Sequence, residues 1–529
     1  MVDADILLVA PPSENQGGEN LGLASLAANL RRHGFRTDIL DASLLNLGER
    51  ETLARILQSS ASIVGFQVFQ DLSSAASRLV RALKAHRPGL PVLMGGYFPT
   101  LATSYSMSLI PADLAVLGEA DLSILDVMQA IRESGKVPHS VPGTARQYEG
   151  DLRILQGRPL VQDLDTLPFP ARDYLPMQLK YRPTASMVTS RGCYGNCTFC
   201  SMRAFYGHSG WRARSPENVL EEIRILKRDY AVEMFNFLDD NFVGSALEGP
   251  QRARDIAELL IKSHLGIHFS LQCRADDVER NLFELLKQAG LSRVAIGVET
   301  FDAAMLSRFG KGIKPDSNRQ ALRILEEIGI PVTVSIILTD PYITFEELRA
   351  SYLQLEKECC KCYLDVTNAV IPWMGTTAHE RAKADGLLVE NVESPTILYR
   401  DQQTARAIER IRRGLASYRE ARTLIKGILT AIRQLPIAGD AAALPAQDYM
   451  HRLGDAAERC EEARKAVYRA SLCLEPASDM QEVPRIFSSV LQDLATLCKS
   501  LGVPVGFSEP MVGHDACSAP PSSPKNLPF

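Results

Sequence analysis

The run SRGCYGNCTFCSMRAFYG sets Cys193, Cys197 and Cys200 within eight residues. Thiolates this close together on one loop select zinc, copper or iron-sulfur. A structural zinc site closes with four ligands, and a cubane iron-sulfur cluster ordinarily takes four cysteines. Three thiols leave one iron open, and an open iron is a place for a substrate or cofactor to bind. The other cysteines do not extend this set. Cys359, Cys360 and Cys362 crowd into ECCKCYLD with no fourth partner near them, and read as buried or bystander thiols, with an auxiliary cluster as the alternative. Cys273 stands beside Arg274 as a weaker catalytic candidate.

Such a loop needs a scaffold that exposes it. From Ala185 onward, six apolar runs (ASMVTS, EMFNFLDD, IHFSLQC, RVAIGVET, PVTVSIILTD and YLDVTNAVIP) alternate with helical stretches. This spacing predicts an incomplete parallel (β/α) barrel of about six units over residues 181–384, with chemistry at the carboxyl ends of its strands. The cysteine loop follows the first of them. In RSPENVLEEIRILKRDY, Ser215 is expected to cap a helix, with Pro216 at its first position and Glu217 near its positive end.

Residues 1–150 show a second alternation, from DILLVAPP to LAVLGEAD. In its first helix Leu23, Leu26, Ala27 and Leu30 share a face, Arg31, Arg32 and His33 lie near the end, and Gly34 is suited to close it. Short strands buried on both faces imply a doubly wound parallel sheet of about five strands. Ligands on such sheets bind beyond the strand carboxyl ends, where this chain has Pro11 and Pro12, Gly65, Gly95 and Gly96, then Gly118 and Glu119. Tyr97 and Trp373 are candidates to flank pockets. Residues 151–180, with Pro159, Pro168, Pro170 and Pro176, read as a linker, residues 385–510 as a helical region without strands, and residues 511–529 as a disordered Pro/Ser tail.

Composition narrows the class. A chain of 529 residues with a formal net charge of -5 and no basic block carries no electrostatic footprint for nucleic acid. No apolar run approaches the roughly 18 to 20 residues that span a bilayer, and the acidic N-terminus is unlike a signal peptide. Eleven cysteines in so long a chain read as reduced thiols and metal ligands, so a cytoplasmic, reducing location is expected.

Cys193-x3-Cys197-x2-Cys200, with Phe199 before its last cysteine, resembles the signature of the radical S-adenosylmethionine (SAM) enzymes. The resemblance implies a [4Fe-4S] cluster on the three thiols, its open iron chelated by the amino and carboxylate groups of SAM. An electron from the cluster, supplied by a flavodoxin or ferredoxin type donor, then cleaves SAM to a 5′-deoxyadenosyl radical. On this resemblance Phe199, Asp239, Asp240, Arg274 and Glu299 are expected to surround SAM, with the two aspartates near the methionine amino group, Arg274 on its carboxylate and Glu299 on the ribose or amine. FNFLDDNF departs from the family's glycine-glycine-glutamate motif. Residues 4–125 resemble the cobalamin-binding domain that precedes many such barrels, which implies cobalamin at Gly65, Gly95, Gly96, Tyr97, Gly118 and Glu119. The Asp-x-His-x-x-Gly ligand motif of the older cobalamin domains is absent, and LDASLLN contains no histidine. Together these resemblances imply a C-methyltransferase acting on an unactivated carbon of a small molecule, lipid or natural-product intermediate. The alternatives are an oxidative cyclase or ring-rearranging enzyme of the same class and, more remotely, a non-catalytic iron-sulfur or cobalamin sensor.

Overall fold

Ile-Leu-Leu-Val-Ala is apolar throughout, and Ile6–Ala10 forms strand β1 with all five residues buried. Burial on both faces is what a strand at the centre of a parallel sheet requires. The computed structural model describes residues 4–13, 18–155, 157, 159–207, 210–244, 247–358, 369–393, 395–415, 418, 421, 424, 439–472 and 483–500. Within the chain two compact units are distinguished, Met1–Arg406 and Ala407–Phe529.

In the first unit β1 is followed by β2 (Thr37–Asp41), β3 (Val64–Gln67), β4 (Val92–Gly95) and β5 (Leu114–Val116), all parallel, in the order β2-β1-β3-β4-β5. Helices Leu21–Arg32 and Ser123–Ser134 fill one face of this sheet through Leu23, Ala27, Leu30 and Val127. Helices Glu49–Gln58 and Ser73–His86 fill the other through Ile56, Leu79 and Leu83. The winding direction reverses between β1 and β3, which opens a crevice at their carboxyl ends. The first helix starts where Asn20 accepts a bond from the amide of Leu23 at 3.0 Å, and Gly34 beyond its end has φ 79°.

The sheet is wider than the five strands expected. β6 (Thr144–Tyr148) pairs antiparallel with β5, and β7 (Asp151–Ile154) pairs antiparallel with β6. Glu149 and Gly150 form the two-residue turn between them with φ 53° and 91°. Positive φ at both central positions is the hairpin turn whose twist matches the flanking strands. Residues 151–154 therefore close the first sheet, where the sequence reads as linker.

A second, five-stranded parallel sheet has the order β14-β13-β12-β11-β8: β8 (Thr184–Met187), β11 (Met234–Phe237), β12 (His268–Arg274), β13 (Leu291–Glu299) and β14 (Val332–Ile336). A parallel bridge from Thr339 to Ala369 continues it toward the sixth expected strand, most of which falls outside the described residues, as do Cys359, Cys360 and Cys362. Between β8 and β11 lies a short antiparallel ribbon of β9 (Ser190–Gly192) and β10 (Trp211–Ala213). Ser215 caps the helix Pro216–Tyr230 by accepting from the amide of Asn218 at 3.2 Å. Beyond residue 384 one small antiparallel ribbon, Leu388–Val389 with Thr396–Ile397, interrupts the all-helical reading. In the second unit, helices Gly439–Ser471 and Val483–Ser500 bury Leu453, Ala456, Val467, Phe487 and Leu494. Residues 511–529 lie outside the described residues.

Candidate active site at the facing strand ends

The cysteine loop leaves β9 at Gly192, whose φ of 84° and whose position, where an added Cβ would meet the Gly210 carbonyl oxygen at 2.2 Å, admit only glycine. Gly192 donates its amide to Asp240 at 2.8 Å. Downstream, Thr198 stitches the loop to the segment after the helix Ala303–Arg308, donating its amide to the Phe309 carbonyl at 2.7 Å and accepting at its own carbonyl from Ala378 at 2.9 Å. Phe199 packs edge-on against Phe309 with ring centroids 5.4 Å apart.

The three thiols are half-buried and unpaired with one another. Burial pushes all three thiols upward, Cys200 to about 11. Opposing this, the Gly195 amide donates to Cys193 Sγ at 3.3 Å, and the Arg274 guanidinium lies 3.9 Å from Cys197 Sγ. Amide and cationic donors aimed at sulfur stabilise thiolates, which is what iron ligation needs. The residues fit a cluster held by three cysteines.

Arg274, at the end of β12, donates to Asp276 and to the Lys311 carbonyl at 2.7 Å and lies over the Tyr194 ring. Glu299, at the end of β13, has φ 62° and pairs with the buried ammonium of Lys311 at 2.9 Å. Arg274, Glu299 and Lys311 all act on the Cys197 thiol, so the ends of β12 and β13 converge on the loop. Lys311 and Tyr194 were not singled out from sequence. Lys311 stands in FGKG after a helix, outside any strand-end pattern, whereas the position of Tyr194 between two candidate ligands was a usable signal.

The two aspartates after β11 part company. Asp239 is fully buried and accepts from the Thr189 amide at 2.5 Å, the Thr189 hydroxyl at 2.7 Å and the Ser190 amide at 2.7 Å. Its carboxylate ties the end of β11 to the strand before the cysteine loop, and Asp239 is not among the described residues lining the cleft. Asp240 instead lines a cavity, and burial raises its carboxyl to about 6, against the Gly192 amide bond. Cys273 is buried, and burial pushes its thiol well up, so it is a core residue and not a catalytic one.

That cavity, of about 300 Å3, opens between the two sheets. Gly65, Gly95, Gly96, Tyr97, Gly118 and Glu119 line it from the first sheet, and Ser190, Arg191, Phe205, Leu238 and Asp240 from the second. Its floor is apolar, with Leu8, Leu93 and Val116. Gly96 holds φ 103° with an added Cβ 3.1 Å from the Val68 carbonyl oxygen, so backbone alone borders the cleft there. Glu119 belongs to the wall, but its carboxylate is taken up by Arg191 at 2.6 Å and Arg212 at 3.0 Å. It thereby ties the first sheet to the β9–β10 ribbon. Arg191 also pairs with Asp121 at 2.7 Å. Tyr97 packs at a tilt against Phe205, centroids 4.4 Å apart, and its hydroxyl reaches Met202 Sδ at 3.6 Å. The carboxyl edges of the two sheets thus face each other across one cleft, bordered by Ser190 and Arg191 before the cysteine loop and by Phe205 and Tyr206 after it. A glycine-edged cleft with an apolar floor fits part of a large flat cofactor, and no histidine is among its described lining residues.

Residues 187–355 match the family description "Radical SAM superfamily", and residues 15–127 match "B12 binding domain". The chain is 30% identical over 396 residues to an uncharacterised methyltransferase of Pyrococcus horikoshii, covering 73% of this chain and 84% of that protein. It is 27% identical over 362 residues to the anaerobic magnesium-protoporphyrin IX monomethyl ester cyclase of Synechocystis sp., covering 65% and 70%. Its fold matches that of the cobalamin-dependent SAM radical enzyme OxsB with aqua-cobalamin bound, at a TM-score of 0.77 and 18% identity, over 94% of this chain and 80% of that one. With three thiols on a barrel loop and a glycine-edged sheet opposite, the chain belongs to the radical SAM superfamily, in its cobalamin-dependent branch, and is an enzyme that uses a [4Fe-4S] cluster, SAM and cobalamin.

Proposed function

We propose that the protein is a C-methyltransferase that methylates an unactivated carbon of a small molecule, lipid or natural-product intermediate. One observation carries the reading: the glycine edge of the first sheet lines the same cleft as Ser190, Arg191, Phe205 and Tyr206, the residues that flank the cysteine loop on either side. A substrate there lies within reach of groups held on both sides. The methyltransferase among the similar proteins supports the same direction. When bound, the cluster with SAM supplies a carbon-activating radical and cobalamin supplies the methyl group.

In this reading residues 1–150 carry cobalamin and residues 181–384 carry the cluster and SAM. Cys193, Cys197 and Cys200 hold iron, and Gly195 and Arg274 stabilise the sulfur charge. Phe199 and Phe309 exclude water from the loop. Asp240 is the acceptor facing the cleft, and the Glu299 and Lys311 pair presents a charge of each sign to a zwitterion such as the methionine end of SAM. Gly65, Gly95, Gly96, Gly118 and Tyr97 border the corrin. A reduced flavodoxin or ferredoxin supplies the electron in the cytoplasm.

The test is single-turnover assay of reconstituted protein with methyl-labelled SAM and candidate substrates. Label is expected in the product, with deoxyadenosine formed in step. Deoxyadenosine with an unmethylated, cyclised product would overturn the methyltransferase reading in favour of the cyclase chemistry named for one of the similar proteins.

A further inference from the structure

A second cavity, of about 590 Å3, lies above the carboxyl ends of β1, β2, β3 and β4 and shares Gln67 and Tyr97 with the cleft. Apart from Ser201, Met202 and Trp373, its described lining comes from residues 10–101, largely inside the segment that matches the B12-binding family. No lysine, arginine or histidine is among the described lining residues, while Asp41 and Asp71 are. The chamber therefore suits an uncharged ligand and disfavours a phosphorylated one.

Gln70 sits in this wall, 6% exposed. Its Oε1 accepts the amide of Met374 at 2.9 Å. An N–H requires an oxygen opposite it, so this bond settles which end of the Gln70 amide is which. Nε2 is left as a buried donor without a partner. A buried donor of this kind costs about 1 to 3 kcal/mol unless something accepts from it. Cobalamin, the established ligand of this domain, needs more room than the 300 Å3 cleft, and the rim of a corrin carries uncharged amide side chains rich in carbonyl acceptors. We propose that Gln70, in the wall of this second cavity, is a cobalamin-binding residue that donates from Nε2 to a corrin-rim amide carbonyl.

The experiment compares wild type with Gln70→Glu and Gln70→Met, titrating the apo-protein by absorbance with hydroxocobalamin and with cobinamide, which keeps the corrin but lacks the nucleotide. Titrations run at alkaline pH, where the introduced carboxyl is ionised. Gln70→Glu retains the oxygen that accepts from Met374 and replaces the donor by an ionised oxygen that repels a carbonyl. It should keep the wild-type far-ultraviolet circular dichroism, unfold thermally somewhat earlier because of the added buried charge, and bind both corrinoids about tenfold or more weakly. Gln70→Met should weaken both to at least that degree, and if it fails to fold, Gln70→Glu alone decides. Wild-type affinity in Gln70→Glu would show that Gln70 only braces Met374. Weakening confined to hydroxocobalamin would assign the contact to the nucleotide. Either result overturns the proposal.

Discussion

Adjacent residues of one chemical type have opposite duties when burial differs. Asp239 and Asp240 follow one another, yet the first accepts three internal bonds and the second faces the cleft. Asp239→Ala strands the Thr189 and Ser190 donors and leaves the buried charge of Arg252 uncompensated. It should cost about 3 kcal/mol or more in urea unfolding, whereas Asp240→Ala costs little. Asp240→Asn has its own signature. With the folded carboxyl raised from 3.8 to about 6, the native state holds a proton that the unfolded chain has released. That stabilising contribution is complete at low pH and is lost as pH rises through about 6. The stability difference between wild type and Asp240→Asn in cluster-free protein should therefore fall between about pH 4 and 6 and be flat above. A flat difference throughout would show an ordinary carboxyl. Among the thiols, Cys193→Ala, Cys197→Ala or Cys200→Ala should each abolish the brown chromophore and deoxyadenosine formation, and a triple variant with full iron and turnover would remove the cluster assignment.

At the scale of the element, strand ends deliver groups and glycines keep the space between them. On β3, Gly65 lies with an added Cβ 3.2 Å from Leu8 Cδ2, at the apolar floor of the cleft. Gly65→Leu should fill that floor and lower cobalamin affinity by at least tenfold at nearly unchanged iron content, read by absorbance and iron analysis. Retained affinity would place the cofactor elsewhere. The β9 ribbon is less tolerant, because a methyl group at Gly192 collides with backbone and not with a flexible side chain. Gly192→Ala should therefore lose cluster incorporation even with all three cysteines present.

Across the whole molecule, buried ion pairs join the first sheet to the second. Arg191 pairs with Glu119 and Asp121, and Arg172 bridges Glu19 and Glu222. Removing one member leaves its partners charged in a low-dielectric seam. Arg191→Met should destabilise the first unit by about 3 kcal/mol, seen as an earlier unfolding transition and faster limited proteolysis. With no histidine among the described residues lining either cavity, the paramagnetic resonance spectrum of the Co(II) protein should lack nitrogen splitting from a protein imidazole. Observation of that splitting would contradict this arrangement.

Local chemistry sufficed for much of this. The spacing of Cys193, Cys197 and Cys200, the strand-helix alternation on both sides of residue 150 and the cap at Ser215 all depend on neighbours in sequence, and local pattern exposes them. The Glu149 and Gly150 turn was equally local, although the preceding residues read as the end of a domain. Other roles rest on contacts between residues far apart in the chain. That Asp239 faces inward and Asp240 outward follows from Thr189 and Gly192 lying about fifty residues earlier. That Glu119 meets Arg191, Lys311 meets Glu299, and Gln70 is turned by Met374 depends on how one sheet edge approaches the other. Residue type and period carry direction along a strand, but only packing decides which polar group is satisfied by the protein and which is left for a ligand.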